Sequence, residues 1–210
     1  MYMGRLMAGL KRKERIKEQG RQEILKAAMA LFSERGFHSV SMHQIAEQAG
    51  MAVGTLYNFF ASKEELYNAL MEVCVAGVAE VLMPILDDTG VGPLDKVLRV
   101  IAAHEHLVQE NAPYLRLSQS RFSDRATKTD MGIKSQAVLD QIQQGLARVF
   151  QEGIKKGVFR ALDPMLMAEL FRAIMEVSAF AAIRAPANAS MAKINKTIET
   201  LVLYGIVKAK

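Results

Sequence analysis

Apolar residues recur along this chain at intervals of three and four, the period of an α-helix. They rarely alternate with polar ones as a half-buried strand requires. Ile24, Ala27, Ala28, Leu31 and Phe32 form one such stripe, and Gly36 follows as the stop of a first helix. Ser41, with Gln44 three residues on, is a capping box. It opens a second helix with Ile45, Ala46 and Ala49 on its inner face and Gly50 at its end. A very short third helix is predicted over 53–60. Ser62, Lys63, Glu64 and Glu65 form another capping box and start a long fourth helix through Leu70 and Val78 toward Leu82, which Pro84 is expected to kink or end.

Thr89 to Pro93 reads as a loop. Amphipathic segments follow over 94–110, 114–122 and 130–156, the last closed by Gly157. Asp163 before Pro164 is an N-cap with Pro at the first helical position, and it starts a helix reaching Arg184. Pro186 and Asn188 break the chain before a final helix over 190–207. The pattern predicts an all-α protein with no internal repeat.

A hydrophobic fraction of 50% in 210 residues is ample for a buried core. Charge changes the picture more. Residues 1–62 hold nine Lys/Arg against five Asp/Glu, while 63–210 hold eighteen against seventeen. The positive excess therefore sits in the first third, where a phosphate-binding surface would want it. The cluster Lys11, Arg12, Lys13 and Arg15 has two readings, a solvated disordered tail or a basic arm. Cys74 is the only cysteine, which excludes an intrachain disulfide and suits a reducing cytoplasm. Met1 to Leu10 is too short and too interrupted by glycine for a signal peptide. No uninterrupted apolar run of about 18 residues exists, so no membrane span is expected.

Two helices joined by a tight glycine turn can set the second into the major groove of DNA. The stretch Ile45 to Met51 fits: Ala46 and Ala49 allow close helix approach, and Gly50 redirects the backbone. The run IAEQAGMAVGTLYNFFASKEEL, within residues 21–66, closely resembles the signature of the TetR family of transcriptional regulators. The remainder is similar to that family only in length and helix order. The resemblance implies a flexible basic arm over 1–20, a helix-turn-helix domain over 21–66, and a helical effector-binding and dimerisation domain over 67–210.

It also implies roles. Thr55, Tyr57 and Lys63 stand where family members contact phosphates, and Ser41 both caps its helix and reaches phosphate. For Lys63 the alternative is a solvated residue beside Glu64. Val53, Gly54 and Asn58 face base edges, with Ala52 at the helix entrance. His43 is either a base contact or an exposed helix residue. Many relatives carry Ser and a polar or basic residue where this chain has Ala52 and Val53. Its reading helix is therefore donor-poor, and apolar contacts and DNA shape are expected to carry more of the specificity.

In the family the last two long helices form a dimer interface. Ala179, Ala181, Ala182, Leu201, Val202 and Ile206 suit that packing here, or an intrachain core instead. The middle helices would enclose a small apolar or amphipathic effector, with His104, Tyr114, Arg116, Arg121 and Glu176 as candidate polar contacts. The expected partners are palindromic double-stranded DNA, a second copy of the chain and that effector, in the cytoplasm. No cofactor and no metal are expected. His104 and His106 are two apart, about 200° around a helix, which is wrong for a shared ion. The hydrolase, phosphate-loop and zinc-protease motifs are missing, which argues against an enzyme. An α-helical carrier of hydrophobic molecules is the other reading, and it leaves the surface from Tyr57 to Lys63 unexplained.

Overall fold

A computed structural model of the chain describes residues 2–122, 133–184 and 191–207. The side chains of 2–13 and 119–122 lie outside the described set, and with them Lys11, Arg12, Lys13 and Arg121. The predicted break at Pro186 and Asn188 lies outside it as well. Among the described residues there are nine α-helices and one isolated antiparallel bridge, between Phe159 and Val207.

The chain divides into two compact units, the first holding residues through Leu70 and the stretch from Leu117, the second beginning at Met71. The division falls inside a helix rather than at the expected 66–67 boundary.

In the first unit, α1 (Tyr2–Arg35) buries Ile24, Leu25, Ala28, Leu31 and Phe32. From Tyr2 on, the stretch expected as an arm over 1–20 is part of this helix. The physical reason is local. Lys, Arg, Glu and Gln are good helix formers, and Glu18 accepts from Gln22 at 2.7 Å, four residues along. The second helix, α2 (Met42–Gln48), starts with the predicted capping box. The Ser41 hydroxyl accepts from the Gln44 N–H at 3.2 Å, and the Gln44 side chain accepts from the Ser41 N–H at 2.8 Å. At its end Gly50 has φ 66°, a conformation L side chains rarely adopt. The N–H of Met51 reaches back to the Ala46 carbonyl at 3.0 Å, closing the turn. The next helix, α3 (Val53–Tyr57), ends three residues earlier than expected, because Asn58 and Phe59 form a turn.

The second unit takes α4 (Lys63–Asp87) from Met71 on, then α5 (Pro93–Glu110), α6 (Ala112–Phe122) up to Arg116, α7 (Ile133–Lys155), α8 (Pro164–Arg184) and α9 (Met191–Gly205). Its core centres on Phe150, with Phe159 and Phe171 rings at 5.6 and 6.0 Å. Of the two outcomes expected at Pro84, the ending does not occur: α4 runs to Asp87 with the proline inside it. The end of α4 is held from outside. Lys96, buried, donates to the Leu86 carbonyl at 3.0 Å, and Arg148 meets Asp87 at 3.2 Å. The Lys96 bond satisfies one of the carbonyls that the last turn of a helix leaves without an intrahelical donor. By length and composition alone α4 is also apolar enough to cross a membrane, with a mean hydropathy of 2.0. Its polar breaks at Glu72 and Glu80, and its buried Leu82 and Leu86, make it a core helix here.

Candidate nucleic-acid interface

A helix of five residues is too short to stand alone in water. The short α3 is held by one side chain, Leu56, which is fully buried. Phe60 is buried just beyond it, beneath the Arg21 guanidinium at 4.8 Å. Phe59 lies against α1 at Gly20, where an added Cβ would stand 3.1 Å from the ring. These anchors leave the opposite surface free. Ala52, Gly54, Thr55, Tyr57 and Asn58 are exposed, and Val53 is half-buried. Tyr57 is 49% exposed, a large ring turned to solvent that packing within this unit does not use. Ser41 and His43 are exposed at the start of α2. Eight of the nine expected DNA contacts are thus at least partly accessible within one unit.

The ninth, Lys63, is engaged by the chain itself. It is half-buried, and its ammonium donates to the carbonyls of Phe37 at 2.8 Å and Val40 at 2.9 Å. The same nitrogen sits 4.5 Å from the centre of the Phe37 ring. It is therefore not a solvated neighbour of Glu64, and its charge is turned onto the turn between α1 and α2.

No residue from Ala52 to Phe60 carries a charge. Positive charge comes from α1, where Arg15 is exposed. This surface has hydroxyls, an amide and small apolar groups to offer a duplex, and little of its own to attract one.

The described residues expected to meet an effector differ in their surroundings. His104 is buried and satisfied. Its Nδ1 faces the Asn195 Oδ1 at 3.1 Å, and its Nε2 faces the Met175 carbonyl at 3.1 Å and the Ser178 hydroxyl at 3.2 Å. It is a structural knot joining α5 to α8 and α9. Arg116 and Glu176 are exposed, and Glu176 pairs with Arg172 at 2.9 Å. Both corrections have one cause: a polar residue on an amphipathic helix usually marks its solvent face. Tyr114 is half-buried; burial raises its hydroxyl pKa, and nearby Cys74 adds to the shift.

Of the expected dimer residues, Ala179 and Val202 belong to the chain's own core, Ile206 is partly buried against that core, Ala182 is half-buried, and Ala181 and Leu201 are exposed. Sequence reasoning missed a stronger feature. Leu166, Leu170, Ile174 and Val177 are all exposed, at spacings of four, four and three along α8. The inward face of the same helix buries Met167, Ala168 and Phe171. Two apolar faces on one helix were the available signal.

The tetR family of bacterial regulatory proteins matches this chain over residues 24–70, the span that contains α2 and α3. The chain is 31% identical over 163 residues to the transcriptional repressor KstR2 of Mycobacterium tuberculosis, covering 72% of this chain and 76% of that one. It is 49% identical over 51 residues to the transcriptional regulator UidR of Escherichia coli, 24% of this chain and 26% of the relative. The fold is similar to that of the regulator FadR from Bacillus subtilis, solved in complex with stearoyl-CoA. That likeness has a TM-score of 0.74 at 20% identity, over 88% of this chain and 98% of that one. These relatives are transcriptional regulators. This chain belongs to the TetR family and is a DNA-binding transcriptional regulator.

Proposed function

We propose that the protein is a cytoplasmic repressor that binds a palindromic operator as a homodimer and leaves it when a small amphipathic effector binds. The observation that carries the DNA-reading assignment is the surface of α3, anchored by Leu56 within the helix and exposing Thr55, Tyr57 and Asn58. Thr55, Tyr57 and Ser41 supply hydroxyls for phosphate oxygens, which position the protein without reading sequence. Asn58 can bond an adenine edge through two bonds, and Val53 and Ala52 can pack on a thymine methyl. Gly54 lets the backbone come close to the groove, and His43 flanks it from α2.

The dimer assignment rests on the exposed stripe of α8, joined by Leu201 and Tyr204 of α9. A two-fold axis through such a face would double the reading surface and match a palindrome. The effector assignment rests on the second unit. Cys74 of α4 and Tyr114 of α6 are near enough to interact electrostatically. Glu72 of α4 pairs with Lys134 at 3.9 Å, beside Ser135 on α7. Ser135 is 1% exposed and its hydroxyl has no hydrogen-bond partner among the described residues. A buried hydroxyl without a partner costs on the order of 1–3 kcal/mol, which a ligand's polar group can recover. FadR with its stearoyl-CoA makes an acyl thioester the first ligand class to try.

Selection of bound duplexes from a random pool tests the reading. The expected product is an inverted repeat with half-sites about one or more helical turns apart. A pool that shows no enrichment, or a single unrepeated half-site, would overturn it.

A further inference from the structure

The turn between α1 and α2 decides where the reading head points. It runs from Gly36 to Val40, and Ser41 at its end is the cap that starts α2. The end of α2 in turn delivers α3 through the Gly50 turn. Any tilt in the 36–40 segment is therefore passed to the Ala52–Asn58 surface. That segment presents the Phe37 and Val40 carbonyls to one ammonium. Lys63 is the first residue of α4, yet its ammonium lies against residues 23 and 26 positions earlier. It bonds the Phe37 and Val40 carbonyls at 2.8 and 2.9 Å, with the His38 carbonyl at 3.5 Å, and it sits 4.5 Å above the Phe37 ring. The ring itself is wedged between Phe32 at 5.2 Å and Tyr67 at 5.5 Å, so the seat of the ammonium is rigid.

Bonds from an ammonium to carbonyl oxygens are charge-assisted and stronger than neutral ones. An ammonium placed this way works on geometry before any duplex arrives. We propose that Lys63 is a positioning residue: it clamps the start of α4 to the α1–α2 turn and so fixes the aim of α3, instead of gripping a phosphate. The inference rests on reading α3 as the DNA-contacting helix. It also assigns α4 a mechanical role, since the clamp is the point at which that helix holds the turn before the reading head.

The two roles differ in salt dependence. Each phosphate neutralised contributes about 0.9 to the slope of log affinity against log salt. Lys63→Met, titrated with operator duplex between about 50 and 200 mM salt, is expected to bind roughly tenfold more weakly with an unchanged slope. In the free variant the amides of residues 37–41 are expected to exchange faster than in the wild type. A slope reduced by about 0.9, or an affinity equal to the wild type's, would overturn the clamp. If Lys63→Met does not fold, the wild type alone is decisive by NMR. The clamp requires slowed exchange of the Lys63 ammonium protons and side-chain signals shifted by the Phe37 ring current. A freely exchanging, unshifted ammonium overturns it. These measurements on free protein need no duplex. They therefore separate failure of the clamp from failure of the DNA-reading assignment, which would appear as a wild type that binds no sequence.

Discussion

Both α3 and α8 carry a face that the protein's own core leaves uncovered, and the two faces are chemical opposites. The first is small and polar, held by one leucine and offering Thr55, Tyr57 and Asn58. The second is a row of Leu166, Leu170, Ile174 and Val177, opposite a face that is already buried. A polar surface loses little by staying wet, so it can wait for a charged, hydrated partner such as DNA. A contiguous apolar stripe is costly in water at about 25 cal/mol per Å². It is better explained by a permanent partner than by a transient one. On the proposed function the difference separates two jobs, reading in the first unit and pairing in the second.

The pairing job gives the largest expected effect. Leu170→Glu places a charge in the middle of the α8 stripe, at a residue 56% exposed in the single chain. Sedimentation is expected to show monomer, and operator affinity to fall roughly a hundredfold or more, because one reading head loses the advantage of two. The circular dichroism spectrum should stay helical. Its neighbour Phe171 faces the other way and is 4% exposed. Phe171→Ala is expected to cost about 3–5 kcal/mol of stability and leave the dimer contact face intact. If Leu170→Glu remains a dimer, the contrast between the two faces of α8 is wrong.

How much of this was legible before the structure depended on the distance between partners. The capping box at Ser41 and Gln44 and the Gly50 turn are local, and both appear as expected. Whether Pro84 would kink or end α4 was left open, because the groups that hold its end, Lys96 and Arg148, come from other helices. The contacts Lys63 makes within the free chain were hidden for the same reason. Its partners at Phe37 and Val40 lie more than twenty residues upstream. His104 is the extreme case, a polar residue on an apolar face that suggested a ligand. It is satisfied by Met175 and Asn195, 71 and 91 positions along the chain. The second face of α8 was visible in the sequence but was passed over for the alanines near its end, since periodicity shows that a side is apolar and not what covers it.

The reading job gives a smaller effect with a sharper pattern. Tyr57→Ala is expected to weaken binding to every duplex by roughly tenfold, since a phosphate contact carries no sequence information. Asn58→Ala is expected to change the ranking of duplexes, losing about 1–3 kcal/mol of discrimination at one base pair and little elsewhere. Neither should move the melting temperature by more than a degree or two, because both side chains are exposed. Binding measured against a panel of single-base operator variants checks this. Uniform loss for both variants would remove Asn58 from base reading and leave α3 a positioning element only.

The smallest effect concerns the interior of the second unit and needs no DNA. Cys74, on α4, is the only cysteine in the chain, so a thiol probe reports this unit alone. Burial pushes its thiol up from 9.0 to about 11. The thiolate is the reactive form. At pH 8 the folded protein should therefore alkylate about a hundredfold more slowly than the unfolded chain, the ratio that two pKa units give. The linkage has a definite sign. The folded-state pKa lies above the unfolded one, so this group's contribution to stability is complete below pH 9 and is lost as pH rises from 9 through about 11. Tyr114 is shifted in the same direction and deepens the loss above pH 10. A denaturation series across that range checks the fall, and thiol labelling with and without an acyl thioester checks the site. A ligand seated beside Cys74 and Tyr114 should slow labelling further and leave the reading surface chemically unchanged. Labelling at the unfolded rate at pH 8 would show that this part of the second unit opens readily to solvent, and would remove the main support for placing the effector there.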